Sequence, residues 1–293
     1  MRLSVIIPVY NVAQHLRMCL DSVLSAVDVV EADGKCEIIC VDDGSDDGST
    51  AILDEYRLAD PRIKVVRQPN QGLGAARNRG LDEASGEWIA FIDSDDRIAE
   101  EYFKALFGAV SRTGFDLASI GTEDCEAAEY WCKCNSLPAV AWGKLYRAEL
   151  WKSLRFPAGR LHEDEYTVHE AVFGAGHIAG VKKRLYHYTV RDGSIMHTSD
   201  RRDQSLRDWL EGCSIQAEFL KTANPKAYGI ALAKKIQVEH WLGHVRKEDV
   251  DEYASVMRGR LGPYYWPEHY RHPVLVNKFT WRIIGPVACM IYR

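Results

Sequence analysis

Glu87-Trp-Ile-Ala-Phe-Ile-Asp-Ser-Asp-Asp96 is an apolar run that ends abruptly in three carboxylates. Its apolar residues are consecutive, not alternate, so Glu87–Ile92 reads as a strand buried on both faces, the kind found in parallel sheets. Upstream, Leu3–Val9, Cys36–Val41 and Ile63–Val66 have the same character, and Leu117–Ile120 repeats it downstream. The segments between them read as helices. Gln14–Val27 carries Leu16, Leu20, Val23 and Leu24 at helical spacing, and Thr50–Leu58, Gly74–Ala84 and Glu100–Ser111 follow. Strand and helix therefore alternate through the first 121 residues, which predicts an α/β fold: a mostly parallel central sheet flanked by helices.

Beyond that point the pattern changes. Residues 122–141 are acidic and cysteine-rich and read as a variable loop. Order returns at Lys144–Arg147, a helix is expected after His162–Glu165, and His177–Val181 and Leu185–Tyr188 look strand-like. From about residue 200 the chain becomes a helical C-terminal appendage, with helices expected at Asp208–Leu220, Lys226–Val245 and Val250–Leu261. Three regions result: 1–121, 122–200 and 201–293.

Composition narrows the function classes. With 46% hydrophobic and 27% charged residues the chain is an ordinary globular one. A formal net charge of -5 argues against general nucleic-acid binding, which wants a basic face. The run Leu3–Val9 is too short for a signal peptide and contains Pro8, and no stretch reaches the roughly 20 apolar residues of a membrane span. The eight cysteines form no C-x-x-C pair, so they read as reduced thiols and the expected location is cytoplasmic. The tail is different. Trp281, Ile283, Ile284, Val287, Met290, Ile291 and Tyr292 lie among Lys278, Arg282 and Arg293, which suits a peripheral contact with a membrane surface, docking to a partner, or packing against the domain.

In an open parallel sheet, ligands bind outside the carboxyl ends of the strands. Tyr10 and Asn11 follow the first strand, Asp42, Asp43, Gly44 and Ser45 the second, and Asp93, Ser94, Asp95 and Asp96 the fourth. Five carboxylates meeting at one edge need a cation or good donors between them. Asp46, Asp47 and Ser49 are explained as ordinary turn and cap residues. Asp93 and Asp95 are not, because two carboxylates two residues apart leave one strand end together. Oxygen-only ligands of this kind suit Mg²⁺ or Mn²⁺, which keep waters and add substrate phosphates. Gly72-x-Gly74 imitates a dinucleotide fingerprint, but it follows the third strand and Arg77 occupies the third glycine position. The two glycines instead let backbone approach a ligand. Arg77 offers its forked cation either to phosphate or to the aspartates.

Ser4-Val-Ile-Ile-Pro-Val-Tyr-Asn11, Val41-Asp-Asp-Gly-Ser45, Gly72-x-Gly-x-Ala-Arg-Asn78 and Phe91-Ile-Asp-Ser-Asp-Asp96 together resemble the family 2 glycosyltransferases of the GT-A fold. The match is dense over about 120 residues and thinner through Lys144-Leu-Tyr146, Glu163-Asp164 and Leu185-Tyr-His-Tyr188. The resemblance implies a Rossmann-like sheet and transfer of a sugar from a nucleotide-sugar, UDP-linked in most members, to a glycan or lipid-linked saccharide. It implies that Pro8, Val9, Tyr10, Asn11 and Asp42, with Asp43, Gly74, Arg77 and Ser94 beside them, line the donor pocket. Asp93 would hold ribose or metal, Asp95 would be the direct metal ligand, and Asp164 would be the base of an inverting reaction, with Glu163 next to it facing the acceptor.

Four further readings stay open. His197 either completes the metal shell or is a solvated histidine, and Arg191 binds diphosphate or sits on a strand edge. Trp142 stacks on an acceptor sugar or belongs to the core. His240 and His244 share a helix face but lack the glutamate of a zinc site. Processive members carry Gln-x-x-Arg-Trp and membrane spans. Gln204-Ser-Leu-Arg207-Asp-Trp209 has one residue too many, so transfer of a single sugar is expected. Two rivals are a sugar-nucleotide nucleotidyltransferase, which would want a basic glycine-rich loop after the first strand, and a non-catalytic nucleotide- or sugar-binding module.

Overall fold

The computed structural model describes residues 2–30, 36–133, 139–190 and 202–261. Arg191, His197 and the apolar tail lie outside them. The core of the sheet is β1 (Leu3–Val9), buried at all seven positions. It lies between two parallel neighbours, β2 (Cys36–Asp42) and β4 (Trp88–Phe91), and β3 (Ile63–Arg67) extends the parallel part beyond β2. Helices α1 (Ala13–Asp28), α2 (Ser49–Ala59), α3 (Leu73–Glu83) and α4 (Tyr102–Thr113) supply the crossovers. α1 buries Leu16, Leu20 and Val23 as their spacing requires.

The second half of the sheet is mixed. After β4 come β8 (Lys144–Arg147), antiparallel to both its neighbours, then β6 (Leu117–Ile120), β9 (His177–Val181) and β7 (Cys125–Glu126). A separate ribbon pairs β5 (Arg97–Ile98) with β10 (Tyr186–His187), so the chain that follows the acidic turn is tied to a strand almost ninety residues later.

One expectation is corrected here. Residues 122–141 are not wholly loop: β7 leads into α5 (Ala127–Lys133), which buries Ala127, Tyr130 and Trp131. That face is apolar at helical spacing, but it is short. It becomes a helix because it packs with α6 (Asp164–Ala175) and α8 (Pro225–Trp241) in a second hydrophobic cluster. The C-terminal helices α7 (Arg202–Ala223), α8 and α9 (Lys247–Leu261) join that cluster through Ala217 and Leu220, Ala231 and Leu232, and Tyr253 and Val256. No described helix is long and apolar enough to cross a membrane. Cys19, Cys40 and Cys213 are buried thiols in no disulfide.

Candidate active site

Register brings the carboxyl ends of three strands side by side. Val9 pairs with Asp42 across β1 and β2, and the Asp43 N–H donates to the Val9 carbonyl at 2.8 Å. On the other flank the Ile92 N–H donates to the Ile6 carbonyl at 3.1 Å, so the chain leaves β4 at Asp93 along the same edge.

The first two acidic residues hold the protein's own turns. Asp42 is buried, and its Oδ1 accepts from the Ser45 N–H at 3.0 Å and its Oδ2 from the Thr50 hydroxyl at 2.7 Å. Asp43, also buried, accepts from the Gln71 N–H at 2.9 Å, the Gly72 N–H at 2.8 Å and the Gln68 amide at 2.8 Å. It thereby fixes the turn that starts α3. Asn11 takes a left-handed backbone (φ 49°); its Nδ2 donates to Asp46 Oδ1 and its Oδ1 accepts from the Asp46 N–H. Asn tolerates this conformation better than most residues. Pro8 and Val9 are buried, and Tyr10 beside them is exposed.

Gly74 has a tight packing partner within the protein. A Cβ there would come within 2.6 Å of the Pro157 carbonyl oxygen and 3.1 Å of the Glu163 Cγ. The glycine lets the loop preceding α6 lie against α3, which places Glu163 beside Arg77. The Asn78 side chain completes the junction by bonding both the N–H and the carbonyl of Phe156, at 2.9 and 2.7 Å.

Arg77 is the centre of the arrangement. It is buried, with Nη2 on Asp93 Oδ1 at 2.7 Å and Nη1 on Glu163 Oε1. Burial works against its charge, but Asp93, Glu163 and Asp164 outweigh it and hold the guanidinium firmly protonated. Glu163 is 2% exposed, so it meets Arg77 and not open solvent. Burial keeps its carboxyl above the ordinary value even there. Asp164, partly exposed, opens α6, and its Oδ1 accepts from the Glu165 N–H at 3.0 Å. Burial first, and then the charge of Glu163, push its carboxyl up to about 8.

The turn after β4 is held from behind. The Cys19 thiol lies 3.6 Å from the Asp93 carbonyl, and the Asp93 N–H donates to the Tyr186 hydroxyl at 3.1 Å. Asp96 is fully buried and accepts from the Thr189 N–H at 2.7 Å; burial, then the charge of Asp93, push it up to about 8. Ser94 is buried between them. Trp142 is half-buried and lies flat on Tyr186, centroids 4.5 Å apart, with the exposed Tyr188 at 6.2 Å. Tyr186, Thr50 and Gln68 carry no sequence motif of their own. Tyr186 sits inside the quoted Leu185–Tyr188 stretch, but only the fold shows it supporting Asp93.

Asp93 and Asp95 leave the strand end partly exposed, and both are oxygen donors. Arg77 pairs with Asp93 and Glu163, and Asp164 lies close enough to add to its field. Among the described residues no three His, Cys, Asp or Glu side chains converge as ligands. Asp93 and Asp95 by themselves offer two oxygen ligands, the donor type that a hard divalent ion takes along with phosphate and water. His240 and His244 are exposed and take no part.

Comparison with known proteins identifies a family and a fold. The family model described as "Glycosyl transferase family 2" matches residues 4–187. The chain is 33% identical over 222 residues to the glycosyltransferase GlyA of Streptococcus pneumoniae and 34% identical over 225 residues to the putative glycosyltransferase EpsH of Bacillus subtilis. These matches cover 66% and 68% of the chain but only 31% and 64% of those proteins. In fold it is similar to S. aureus TarS 1-349 in complex with UDP-GlcNAc (TM-score 0.61, 24% identity, covering 91% of this chain and 93% of that one). It is likewise similar to the mannosyltransferase PcManGT of Pyrobaculum calidifontis with GDP-Man and Mn²⁺ (TM-score 0.58, 17% identity, 88% and 80% covered).

Proposed function

The chain belongs to glycosyltransferase family 2, and from that premise we propose that it transfers a single sugar from a nucleotide-sugar to a hydroxyl of a glycan or lipid-linked saccharide. In this reading the reaction inverts the anomeric carbon, with Asp164 as base. One observation carries it: the buried Asp93–Arg77–Glu163 bridge holds the acidic turn after β4 and the start of α6 on two arms of one guanidinium. A donor seated at the turn would then present its anomeric carbon toward Asp164. The acceptor oxygen attacks that carbon, the bond to the diphosphate breaks, and Asp164 takes the hydroxyl proton as the nucleotide leaves with the bonding electrons. Pro8 to Asn11 and the Asp42–Asp43 turn would form the nucleotide wall. Asp93 and Asp95 would hold Mn²⁺ or Mg²⁺, which supplies charge neutralisation to the leaving diphosphate.

A UDP-sugar is the favoured donor, supported by the UDP-GlcNAc in the similar TarS structure, while PcManGT with GDP-Man and Mn²⁺ supports a divalent ion. We assign residues 1–121 to the donor half and 122–200 to the acceptor half. Trp142, flat against Tyr186, stays in the second as a wall of the acceptor side. Glu163 is reassigned from acceptor contact to partner of Arg77, since its carboxylate is buried there.

Two measurements test the reading. Asp164→Asn should reduce transfer by a factor on the order of 10² to 10⁴, the usual worth of a positioned base, while donor affinity barely changes. Near-normal transfer would remove Asp164 from the chemistry. Thermal stabilisation by UDP should largely vanish in a chelator or in Asp95→Ala, because two carboxylates and a diphosphate repel without a cation; equal stabilisation with and without metal would end the metal assignment.

A further inference from the structure

One face of α7 grips the segment that carries Asp164, residue by residue. Ser205, Asp208, Trp209, Gly212 and Gln216 fall at i, i+3, i+4, i+7 and i+11 and so share that face. Asp208 is buried; its Oδ2 accepts from the Leu161 N–H at 3.0 Å and its Oδ1 from Arg160 at 3.1 Å. Its carbonyl accepts from the Tyr166 hydroxyl at 2.7 Å. His162 has a left-handed backbone (φ 55°), rarely adopted by a residue with a side chain. Its Nε2 lies 2.8 Å from the Ser205 hydroxyl and its ring is stacked on Trp209 at 5.0 Å. The Trp209 Nε1–H donates to Glu165 Oε1 and the Gln216 amide to Glu165 Oε2, each at 3.2 Å, and Lys234 from α8 pairs with the same carboxylate. A Cβ at Gly212 would meet the Glu165 Cβ at 2.9 Å, so α7 and α6 touch backbone to side chain.

We propose that this face of α7 positions the base, with Asp208 as its principal positioning residue; the inference rests on Asp164 being the base. The reason is the placement of the fixed points. Leu161, His162, Glu165 and Tyr166 are held by α7, while Glu163 is held by Arg77 from the donor side. Asp164 lies between the two sets of anchors. An apolar residue at 208 would pack α7 but leave the Leu161 N–H without this acceptor, so the carboxylate fixes the segment as well as the helix. A displacement of about 1 Å at a reacting group can cost on the order of 10²-fold in rate, so a device that fixes this segment acts on turnover.

The test compares the full-length wild type with Asp208→Ala, Asp208→Asn and Trp209→Phe. Turnover is read as nucleoside diphosphate released with Mn²⁺ as water takes the sugar from UDP-glucose, UDP-galactose, UDP-GlcNAc or GDP-mannose, whichever the wild type uses fastest. Asp208→Ala should lower kcat roughly 10- to 100-fold with the donor KM within about twofold. Asp208→Asn keeps an oxygen that can accept from Leu161, and it should recover most of the loss. In an Asp164→Asn background Asp208→Ala should add less than about threefold, because both act through one group. Parallel loss of donor affinity, or full multiplication with Asp164→Asn, would place the role of Asp208 elsewhere and overturn the proposal. Should Asp208→Ala not fold, Trp209→Phe decides: it keeps a ring on His162 and removes the bond to Glu165, and an unchanged kcat would overturn the proposal equally. Failure of the underlying reading looks different. It is a near-wild-type Asp164→Asn, or no release from any of the four donors by the wild type.

Discussion

Arg77 carries one positive charge into a pocket with Asp93, Glu163 and Asp164, and burial removes the water that would otherwise screen them. Deleting it strands Glu163 as a buried carboxyl without a counter-charge. Breaking a buried pair in this way costs about 3–5 kcal/mol, far more than loss of a surface pair. Arg77→Ala should therefore lower the unfolding free energy by about that amount in urea titrations. Arg77→Lys should recover only part, because an ammonium is a point charge and cannot span two carboxylates with a fork. An Arg77→Ala protein as stable as wild type would show that the bridge contributes nothing to folding.

Between elements, the decisive approach is α3 against the loop that enters α6. At Gly74 the Pro157 carbonyl leaves no room for a methyl group, whereas at Gly108 on α4 an added Cβ meets nothing within 4 Å. The two glycines make a matched pair. Gly74→Ala should destabilise by about 1–3 kcal/mol, the usual cost of overpacking, and lower turnover as the loop shifts Glu163 and Asp164. Gly108→Ala should stabilise by about 1 kcal/mol, since it only removes chain entropy from a helix interior. Thermal melts of both variants check the contrast. An unchanged melting temperature for Gly74→Ala would mean that the loop gives way at no cost.

At the scale of the molecule, α6 joins the sheet to the C-terminal helices, and His169 sits where they meet. It is 1% exposed, its ring lies 4.9 Å from Phe219 and 6.5 Å from Trp131, and neither nitrogen has a hydrogen-bond partner among the described residues. Burial lowers its pKa from 6.5 to about 4. Between those values the unfolded chain binds the proton and the native one does not, so stability is full above pH 6.5 and falls as pH drops toward 4. One site of this kind removes about 2 kcal/mol between pH 7 and pH 5. His169→Phe should flatten that part of the profile in denaturant titrations at the two pH values. A variant with the same slope as wild type would move the acid sensitivity to other groups.

Much of this was legible in the chain because it is local. Leu3–Val9, Leu117–Ile120 and His177–Val181 are the strands that their apolar runs announce. The acidic turns converge because a parallel sheet puts every carboxyl end on one edge, so Asp93 and Asp95 could be located from strand order alone. The fate of each carboxylate was not legible. Asp42 and Asp43 turn inward to their own loops, and Glu163 is claimed by an arginine 86 residues earlier in sequence. Nothing local to Glu163 announces that partner. The same holds for α5, too short to declare itself without α6 and α8 beneath it, and for the C-terminal helices. Their helical periods are plain in the sequence, but the grip of Asp208, Trp209 and Lys234 on the start of α6 exists only once the chain has folded back on itself. Apolar periodicity fixes which residues face inward. Which polar groups then meet one another is decided by tertiary packing, because each such pair joins segments that periodicity leaves unrelated.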